Sequence, residues 1–235
     1  MSSPEDRLAE LEARIGACRA CPRLVAWREA VAQKKRRAFQ SWEYWGKPVP
    51  GFGDPQARIL VVGLAPGAHG SNRTGRVFTG DDSGVFLYRA LYRAGFANRP
   101  TAAYKDDGLA LKDVFITAVC RCVPPDNKPS PEELARCQPF LIEEMGYLPR
   151  IEGVVLLGRI AMDGLAAAYR RQGFALPKIE FAHGAVHRFG AGMPWWITSY
   201  HPSRQNTQTG RLTEEMFDAV WSTARMLLDG SRSDS

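Results

Sequence analysis

The five cysteines of this chain stand at spacings that are typical of metal or cluster ligation. Cys18 and Cys21 form a C-x-x-C pair in "CRAC", and Cys122 and Cys137 bracket the segment "VPPDNKPSPEELAR". Four thiolates can enclose a [4Fe–4S] cluster or a zinc ion, and the spacing does not separate these two. The alternative, that the cysteines are small buried hydrophobic residues, is less favoured for paired cysteines. Cys120 is the spare thiol.

A glycine-rich loop, "GLAPGAHGSNRTGRVFTGD" over residues 63–81, follows the apolar run "RILVVGL". Such loops often cradle phosphate, but this one lacks the Gly-Lys-Ser/Thr ending and is not G-x-G-x-x-G, so we expect no free nucleotide cofactor. Asp81 at its end can cap the next helix or position a water molecule. Phe78 is either a core residue or a surface on which a planar base stacks.

The motif "HPS" at residues 201–203 follows another apolar run, "PWWITSY". A lone histidine is more often structural than catalytic. His201, however, would project from a strand end into a loop rich in Arg, Asn and Gln, which favours a functional role. Arg73 and Arg76 either bind phosphate or are simply solvated, and His69 is placed at the mouth of the cleft.

Four apolar runs alternate with helical patterns, which predicts a mainly parallel sheet covered on both faces. The predicted strands are 58–64, 113–119, 153–158 and 194–200, and the predicted helices are 82–94, 131–145, 159–171 and 213–228. In such sheets ligands bind outside the carboxyl ends of the strands. We therefore expect the glycine-rich loop and the HPS loop to meet at one edge.

Several predicted helix boundaries are marked by capping residues or by proline. Ser130 and Glu133 form a capping box, and Thr213 can cap the last helix. Residues 5–33 are predicted to be largely helical, with a break at Pro22. The tail 229–235 is predicted to be disordered.

Composition limits the classes of function. The chain has 235 residues and a net charge of +6. It has no run long enough to span a membrane and no secretory signal, so we expect a cytoplasmic protein without disulfides. A basic excess suits a polyanionic partner such as nucleic acid. The basic stretch 34–37 is interpreted as an ordinary solvated helix end rather than a DNA contact.

Taken together, the chain resembles the uracil-DNA glycosylase superfamily, and within it the iron–sulfur enzymes of family 5, also called B-type. The stretches that carry the resemblance are "CRACPRL", "VPGFGD", "GLAPGAHGSNRTGRVFTGDDSG", "CVPPDNKPSPEELARC", "FAHGAVH" and "SYHPSRQNTQTGRLT". The resemblance implies an α/β fold, a three-layer α/β/α sandwich around a four-stranded parallel sheet. It also implies a single domain over residues 1–235, whose N-terminal helical segment is tied in by a [4Fe–4S] cluster on Cys18, Cys21, Cys122 and Cys137.

The same resemblance implies the chemistry and the site. The expected partner is DNA that contains deaminated bases, bound by a monomer that flips the damaged nucleotide out of the stack. Catalysis would fall to Asp81, on water, and to His201, which would donate a hydrogen bond to O2 of the departing base. The expected base-binding residues are Gly63, Leu64, Ala65, Pro66, Gly67, His69, Phe78 and Asn206. The expected DNA contacts are Arg73, Ser203 and Arg204, with Arg204 and Asn206 entering the minor groove.

Two departures from related enzymes bear on specificity. The first motif reads "GLAPG", with no polar side chain to handle the water, which leaves Asp81 as the nearest carboxylate. Ala118 stands where related A-type enzymes carry an asparagine that reads the uracil edge. We therefore expect a less selective pocket that also accepts hypoxanthine. The rival hypotheses are a non-catalytic iron–sulfur nucleic-acid-binding protein and, with less support, an electron carrier.

Overall fold

A computed structural model describes residues 3–190 and 192–233, and in these residues helices cover both faces of one β-sheet. The strands are β1 (Phe52–Gly53), β2 (Ile59–Gly63), β3 (Val114–Ala118), β4 (Gly153–Leu157), β5 (Val186–His187) and β6 (Trp195–Ser199). The helices are α1 (Pro4–Ala17), α2 (Pro22–Lys34), α3 (Ser71–Thr74), α4 (Asp82–Arg93), α5 (Pro131–Gly146), α6 (Arg159–Arg171), α7 (Arg204–Gln208) and α8 (Glu214–Ser233).

The sheet has the strand order β1-β3-β2-β4-β6-β5. The four central strands are parallel to their neighbours and coincide with the four apolar runs, which confirms the predicted core of the sheet. The prediction of four strands omits β1 and β5, which pair antiparallel with the two edges. Each of these has only two residues, so no apolar periodicity marks it in the sequence.

Alternation along the strands separates the core into two faces. Ile59 and Val61 of β2 pack in a cluster with residues of α4 and α8, whereas Leu60 and Val62 pack with residues of α5 and α6. Successive side chains of a strand point to opposite faces, so a strand that is buried on both sides reads as a continuous apolar run. The predicted three-layer α/β/α arrangement is confirmed.

The predicted helix starts are present. Ser130 and Glu133 form the capping box of α5, and the Thr213 hydroxyl accepts the Met216 N–H at 3.2 Å at the start of α8. The break near Pro22 is also found, since α1 ends at Ala17 and α2 begins at Pro22.

Helix α8 is longer than the sequence predicts. It continues to Ser233 through most of the tail for which we expect disorder, and residues 234–235 of that tail lie outside the described residues. Even with this length, neither α8 nor another helix of the described chain is sufficiently long and apolar to cross a membrane.

Candidate functional site

A cavity of about 670 Å³ opens where the parallel strands end at their carboxyl termini. The loop after β2 and the loop after β6 both line it, so the two segments meet as the sequence predicts. The predicted site residues that line the cavity are Leu64, Ala65, Pro66, Gly67, His69, Phe78, Asp81, His201, Ser203 and Arg204. Gly63, Arg73 and Asn206 do not line it.

The glycines of the loop make room for two functional side chains. A Cβ atom at Gly70 would lie 1.9 Å from Oδ2 of Asp81, and one at Gly67 would lie 2.7 Å from the same oxygen. A Cβ atom at Gly63 would lie 2.7 Å from the ring of Phe78. These glycines are therefore required by close approach of Asp81 and Phe78, rather than by contact with a bound phosphate.

Asp81 caps α4 and also faces the cavity. Its Oδ1 accepts the Gly84 N–H at 3.0 Å, so the predicted capping role is confirmed. Burial raises the pKa of Asp81, and the hydrogen bond from Gly84 opposes that shift. A raised pKa is the usual result when a carboxylate loses contact with water, and it favours the acceptance of a proton.

Phe78 belongs to the core and to the cavity wall at once. Its side chain is 8% exposed, and its backbone has a φ of +49°, in the left-handed region. A residue other than glycine is strained there by about 1–3 kcal/mol. The Phe78 carbonyl oxygen packs against the start of α4, where a Cβ atom at Gly84 would lie 1.7 Å from it.

His201 lies over the ring of Phe78, with the ring centroids 5.8 Å apart and the planes inclined by 29°. Its imidazole nitrogens make no hydrogen bond with any described residue. Burial lowers the pKa of His201 to about 4. The imidazole is therefore neutral at pH 7, with one N–H that can donate into the cavity.

Asn206 positions His201 instead of lining the cavity. Its Nδ2 donates to the carbonyl oxygen of His201 at 2.8 Å, and the Ser203 N–H donates to the same oxygen at 2.8 Å. The Ser203 hydroxyl in turn caps α7 by accepting the Asn206 N–H at 3.3 Å. Direct contact of Asn206 with DNA stays a prediction.

His183 is a positioning residue that the sequence does not reveal. Its Nδ1 accepts the Tyr200 N–H at 3.2 Å, and its Nε2 lies 3.2 Å from the Met216 carbonyl oxygen, to which it donates. The imidazole also stacks on the Tyr200 ring, with centroids 5.0 Å apart. His183 thereby fixes Tyr200, the residue that precedes His201. The only signal in the sequence is its place in "FAHGAVH".

Arg73 is buried, which argues against its predicted contact with DNA phosphates. It is 4% exposed, and it donates to the carbonyl oxygens of His69 at 2.7 Å and Gly80 at 2.8 Å. Its guanidinium lies 3.9 Å from the ring centroid of Phe39 and 4.0 Å from that of Trp42. Burial lowers the pKa of Arg73, and electrostatic attraction to Tyr44 and Asp81 opposes that shift. The two aromatic faces also attract the guanidinium through cation–π contacts. Arg73 thus joins the two ends of the glycine-rich loop.

Arg76 is neither a phosphate ligand nor a solvated side chain. It donates to both carboxylate oxygens of Asp107, at 2.9 and 2.8 Å, and both side chains are buried. Burial opposes ionisation of Asp107, but the hydrogen bonds from Arg76 and from the N–H groups of Leu109 and Ala103 lower its pKa to about 2. This buried ion pair ties the glycine-rich loop, through Arg76, to the segment that contains Asp107.

The rim of the cavity carries further polar residues. His69 Nδ1 lies 3.1 Å from the Tyr44 hydroxyl, and burial lowers the pKa of His69. Arg204 is exposed, with its Nε 3.7 Å from Oδ2 of the equally exposed Asp82, an ion pair that contributes little. Arg204 therefore remains accessible to phosphate.

Six further lining residues are not assigned to the site by the sequence. They are Arg36, Phe39, Asn127, Asp82, Ser83 and Gln205. Asn127 has a φ of +55° in the loop that precedes α5, a conformation that asparagine tolerates better than most residues. No local pattern connects this loop to the cavity, because the chain brings it there through the fold. Ala118, the last residue of β3, lines the cavity and is 4% exposed.

A second, smaller cavity is lined by all five cysteines, which include the four predicted ligands Cys18, Cys21, Cys122 and Cys137 as well as Cys120. Arg28, which is 2% exposed, donates to Cys122 Sγ at 3.0 Å and to the Cys18 carbonyl oxygen at 3.1 Å. The Arg121 N–H donates to Cys137 Sγ at 3.2 Å. The sulfurs therefore face a buried cation and a backbone donor, both of which favour thiolates.

The ionisation of these thiols follows their surroundings. Burial raises the pKa of Cys122 to about 11, although Arg28 opposes the shift. The neighbouring Cys120 thiol and the Arg121 cation lower the pKa of Cys137. In the described residues, no three His, Cys, Asp or Glu side chains are grouped so that they could hold a metal ion.

Comparison with known proteins gives a consistent result. The family model described as the uracil DNA glycosylase superfamily matches residues 50–225. The chain is similar to a type-5 uracil-DNA glycosylase of Thermus thermophilus, with 55% identity over 91% of this chain and 94% of that protein. It is 45% identical to a type-5 uracil-DNA glycosylase of Pyrobaculum aerophilum, over 88% of this chain and 87% of that protein. A type-4 uracil-DNA glycosylase of the same organism is 33% identical over 68% of this chain and 74% of that protein.

Proposed function

Because this chain belongs to the uracil DNA glycosylase superfamily, we propose that it hydrolyses the N-glycosidic bond of uracil in DNA and leaves an abasic site. We extend the proposal to other deaminated bases, hypoxanthine among them, and to a nucleotide flipped out of the duplex. The observation that carries it is the meeting of His201, Phe78 and Asp81 in one cavity at the strand ends. The volume of about 670 Å³ lies within the range of small-ligand sites, as an extruded nucleotide requires.

The site must first stabilise the negative charge that develops on the departing base. Breaking the bond between C1′ and the base nitrogen leaves the electron pair on the base, and its negative charge spreads to O2. His201 is neutral at pH 7 because its pKa is about 4, so it acts as an N–H donor to O2. A donor that is already in place stabilises the developing charge without reorganisation. The free N–H groups of Ala65 and Gly67, which donate to no described residue, are further donors on the same wall.

The site must also orient and activate the water that attacks the sugar. Asp81 lines the cavity with its carboxylate packed against Gly67 and Gly70, and we assign it the task of orienting the water that attacks C1′. The water adds its oxygen to C1′ and gives up a proton, which Asp81 can accept because burial raises its pKa. Capping and water activation are compatible, since Oδ1 holds the helix while the carboxylate remains on the cavity wall.

The breadth of specificity rests on Ala118. Its methyl group lines the cavity at the end of β3, where an asparagine would offer an amide to the edge of uracil. Without that amide, a purine such as hypoxanthine leaves no buried polar group unpaired, and the penalty for accepting it is small.

We also propose that the cysteine cavity holds a [4Fe–4S] cluster on Cys18, Cys21, Cys122 and Cys137. In such a cluster each cysteine binds a different iron atom, and the four proposed ligands line one cavity, as such a ligand set requires. The cluster would supply cross-linking rather than redox chemistry, because its ligands come from the junction of α1 and α2 and from both sides of the loop before α5.

The test is release of free base from duplexes that carry uracil, hypoxanthine or no lesion. The wild type should release uracil and hypoxanthine and leave the undamaged duplex intact. Ala118→Asn should keep uracil release and lose at least about tenfold in hypoxanthine release, since the added amide must be satisfied. Ala175→Asn, at an exposed position away from the cavity, is the matched control.

Two outcomes would contradict the proposal at different levels. Release of uracil alone by the wild type would reject the broad pocket and keep the glycosylase. No release of any base by protein that still binds DNA would reject the enzyme and favour the non-catalytic nucleic-acid-binding protein.

A further inference from the structure

The basic segment, Lys34–Arg37, ends α2 beside the cavity and carries four cations in a row. None of the four takes part in an ion pair within the described residues. Lys34, Arg36 and Arg37 are exposed, and Lys35 is half-buried with its Nζ donating to the Gln40 carbonyl oxygen at 3.3 Å. An exposed run of four cations produces a positive potential that attracts polyanions.

The segment forms part of the cavity wall. Arg36 lines the cavity together with Phe39, and its charge contributes to the lowered pKa of His69. The Arg36 N–H also donates to the Tyr44 hydroxyl at 3.4 Å, and that hydroxyl contacts His69. Arg36 therefore lies at the mouth through which a nucleotide must pass.

The segment is held in place by the loop it faces. Phe39 and Trp42, just after the segment, enclose the guanidinium of Arg73. Arg73 in turn donates to the carbonyl oxygens of His69 and Gly80 in the glycine-rich loop. The three exposed cations agree with the solvated helix end expected from the sequence, and the anchor that follows them fixes where they stand relative to the cavity.

A second cation stands on another part of the rim. Arg204 lines the cavity from the loop after β6, and its weak ion pair with Asp82 leaves it accessible. The entrance to the cavity thus presents Arg36 and Arg204 to whatever backbone carries the flipped nucleotide.

We propose that the basic segment binds the phosphates of the damaged strand next to the flipped nucleotide. The proposal rests on the proposed function and adds to it a DNA-binding element outside the loops that grip the base. Phosphate contacts of this kind position the duplex and do not read its sequence.

The experiment measures the affinity for a duplex with a tetrahydrofuran abasic-site analogue as a function of NaCl concentration. Each lost phosphate contact lowers the salt slope of log K by about 0.9, so Arg36→Gln/Arg37→Gln should lower it by about 1.8. The matched control is Arg150→Gln/Arg170→Gln, which removes two exposed cations near the amino ends of the strands and should keep the wild-type slope.

Removing the charge of individual phosphates then shows which phosphates the basic segment contacts. Methylphosphonates at the two phosphates that flank the analogue in the damaged strand should weaken binding by the wild type and by the control. They should have little further effect on Arg36→Gln/Arg37→Gln, since the partner charge is already gone.

The results separate this proposal from the proposed function. A wild-type slope in Arg36→Gln/Arg37→Gln overturns the proposal even if uracil release is normal, and leaves the segment as a solvated helix end. A reduced slope with full methylphosphonate sensitivity also overturns it, because the contact then lies elsewhere on the DNA. Failure of the wild type to release uracil rejects the glycosylase but leaves the DNA-contact result interpretable.

Discussion

The cavity at the strand ends and the cysteine cavity differ in how their polar groups are satisfied. In the cysteine cavity the sulfurs of Cys122 and Cys137 accept hydrogen bonds from Arg28 and from the Arg121 N–H. In the cavity at the strand ends, the imidazole of His201 has no hydrogen-bond partner in the described chain. The sulfurs of Cys122 and Cys137 thus already have donors within the protein, whereas the His201 imidazole remains available to a ligand that enters the cavity.

The arginines around the cavity at the strand ends also fall into two groups, which differ in burial and in pairing. Arg73 and Arg76 are buried behind the glycine-rich loop and hold backbone and carboxylate groups. The charges that face the entrance, Arg36 and Arg204, are exposed and weakly paired or unpaired. The buried arginines thus make the glycine-rich loop rigid, and the exposed arginines at the entrance remain available to contact a ligand.

The largest effect is expected from the cysteine cavity. Cys122→Ser should abolish bound iron and lower the free energy of unfolding by about 4 kcal/mol or more, roughly 10 °C in Tm, as loss of a metal site does. Iron analysis and thermal denaturation check this. Cys120→Ser is the matched control, since Cys120 lines the same cavity but lies outside the proposed ligand set. If both variants keep their iron, or lose it equally, the ligand assignment is wrong.

The next largest effect is expected when the hydrogen-bond donor to the departing base is removed. His201→Ala should lower the rate of uracil release about 10²–10³-fold, the usual cost of removing one donor to a developing negative charge. Single-turnover kinetics measure the rate, and affinity for an abasic-site duplex should be nearly unchanged. His187→Ala, on edge strand β5, provides a histidine that does not line the cavity. A decrease of less than about tenfold in His201→Ala would remove this residue from the chemistry.

The two tasks of Asp81 can be separated by the choice of substitution. Asparagine caps helices about as well as aspartate, so Asp81→Asn should keep the wild-type Tm and still lower uracil release by about 10²-fold. Asp81→Ala should lose the activity and, in addition, about 1 kcal/mol of stability from the missing cap. Full activity in Asp81→Asn would mean that Asp81 only begins the helix.

The last prediction concerns the pH dependence of stability. A histidine whose pKa is lowered to about 4 resists protonation in the folded state, so the unfolded chain binds more protons between about pH 6.5 and pH 4. The stability that the neutral imidazole contributes is present above pH 6.5 and is lost as the pH falls toward 4. The Tm difference between the wild type and His201→Asn should therefore change over this range and be constant above it. A difference that stays constant down to pH 4 would mean that burial does not lower this pKa.

The regular part of the fold could be predicted from the sequence because its signals are local. The four central strands are continuous apolar runs, and caps such as Ser130 and Asp81 lie next to the helices they begin. Strand β1 carries no such signal, since Phe52 becomes a strand residue only by pairing with Ile116 of β3.

The side chains of the site were harder to assign than its location. The sequence placed His201 and Asp81 at the correct edge of the sheet, because strand ends determine that edge. It could not show that Arg73 is buried between Phe39 and Trp42, or that Asn206 binds the His201 carbonyl group, since both contacts depend on loop geometry. The sequence also could not show that the basic segment lies beside the cavity, since its surroundings come from a loop distant in the chain.

The central claim is that His201 and the glycine-rich loop bind the same flipped base. A crystal structure of the protein with a duplex that contains a non-hydrolysable 2′-fluoro-2′-deoxyuridine tests it most directly. We predict a flipped uracil whose O2 lies within about 2.7–3.2 Å of an imidazole nitrogen of His201, with residues 64–67 against the base. A uracil that remains stacked in the duplex, or that is bound out of reach of His201, would contradict the account.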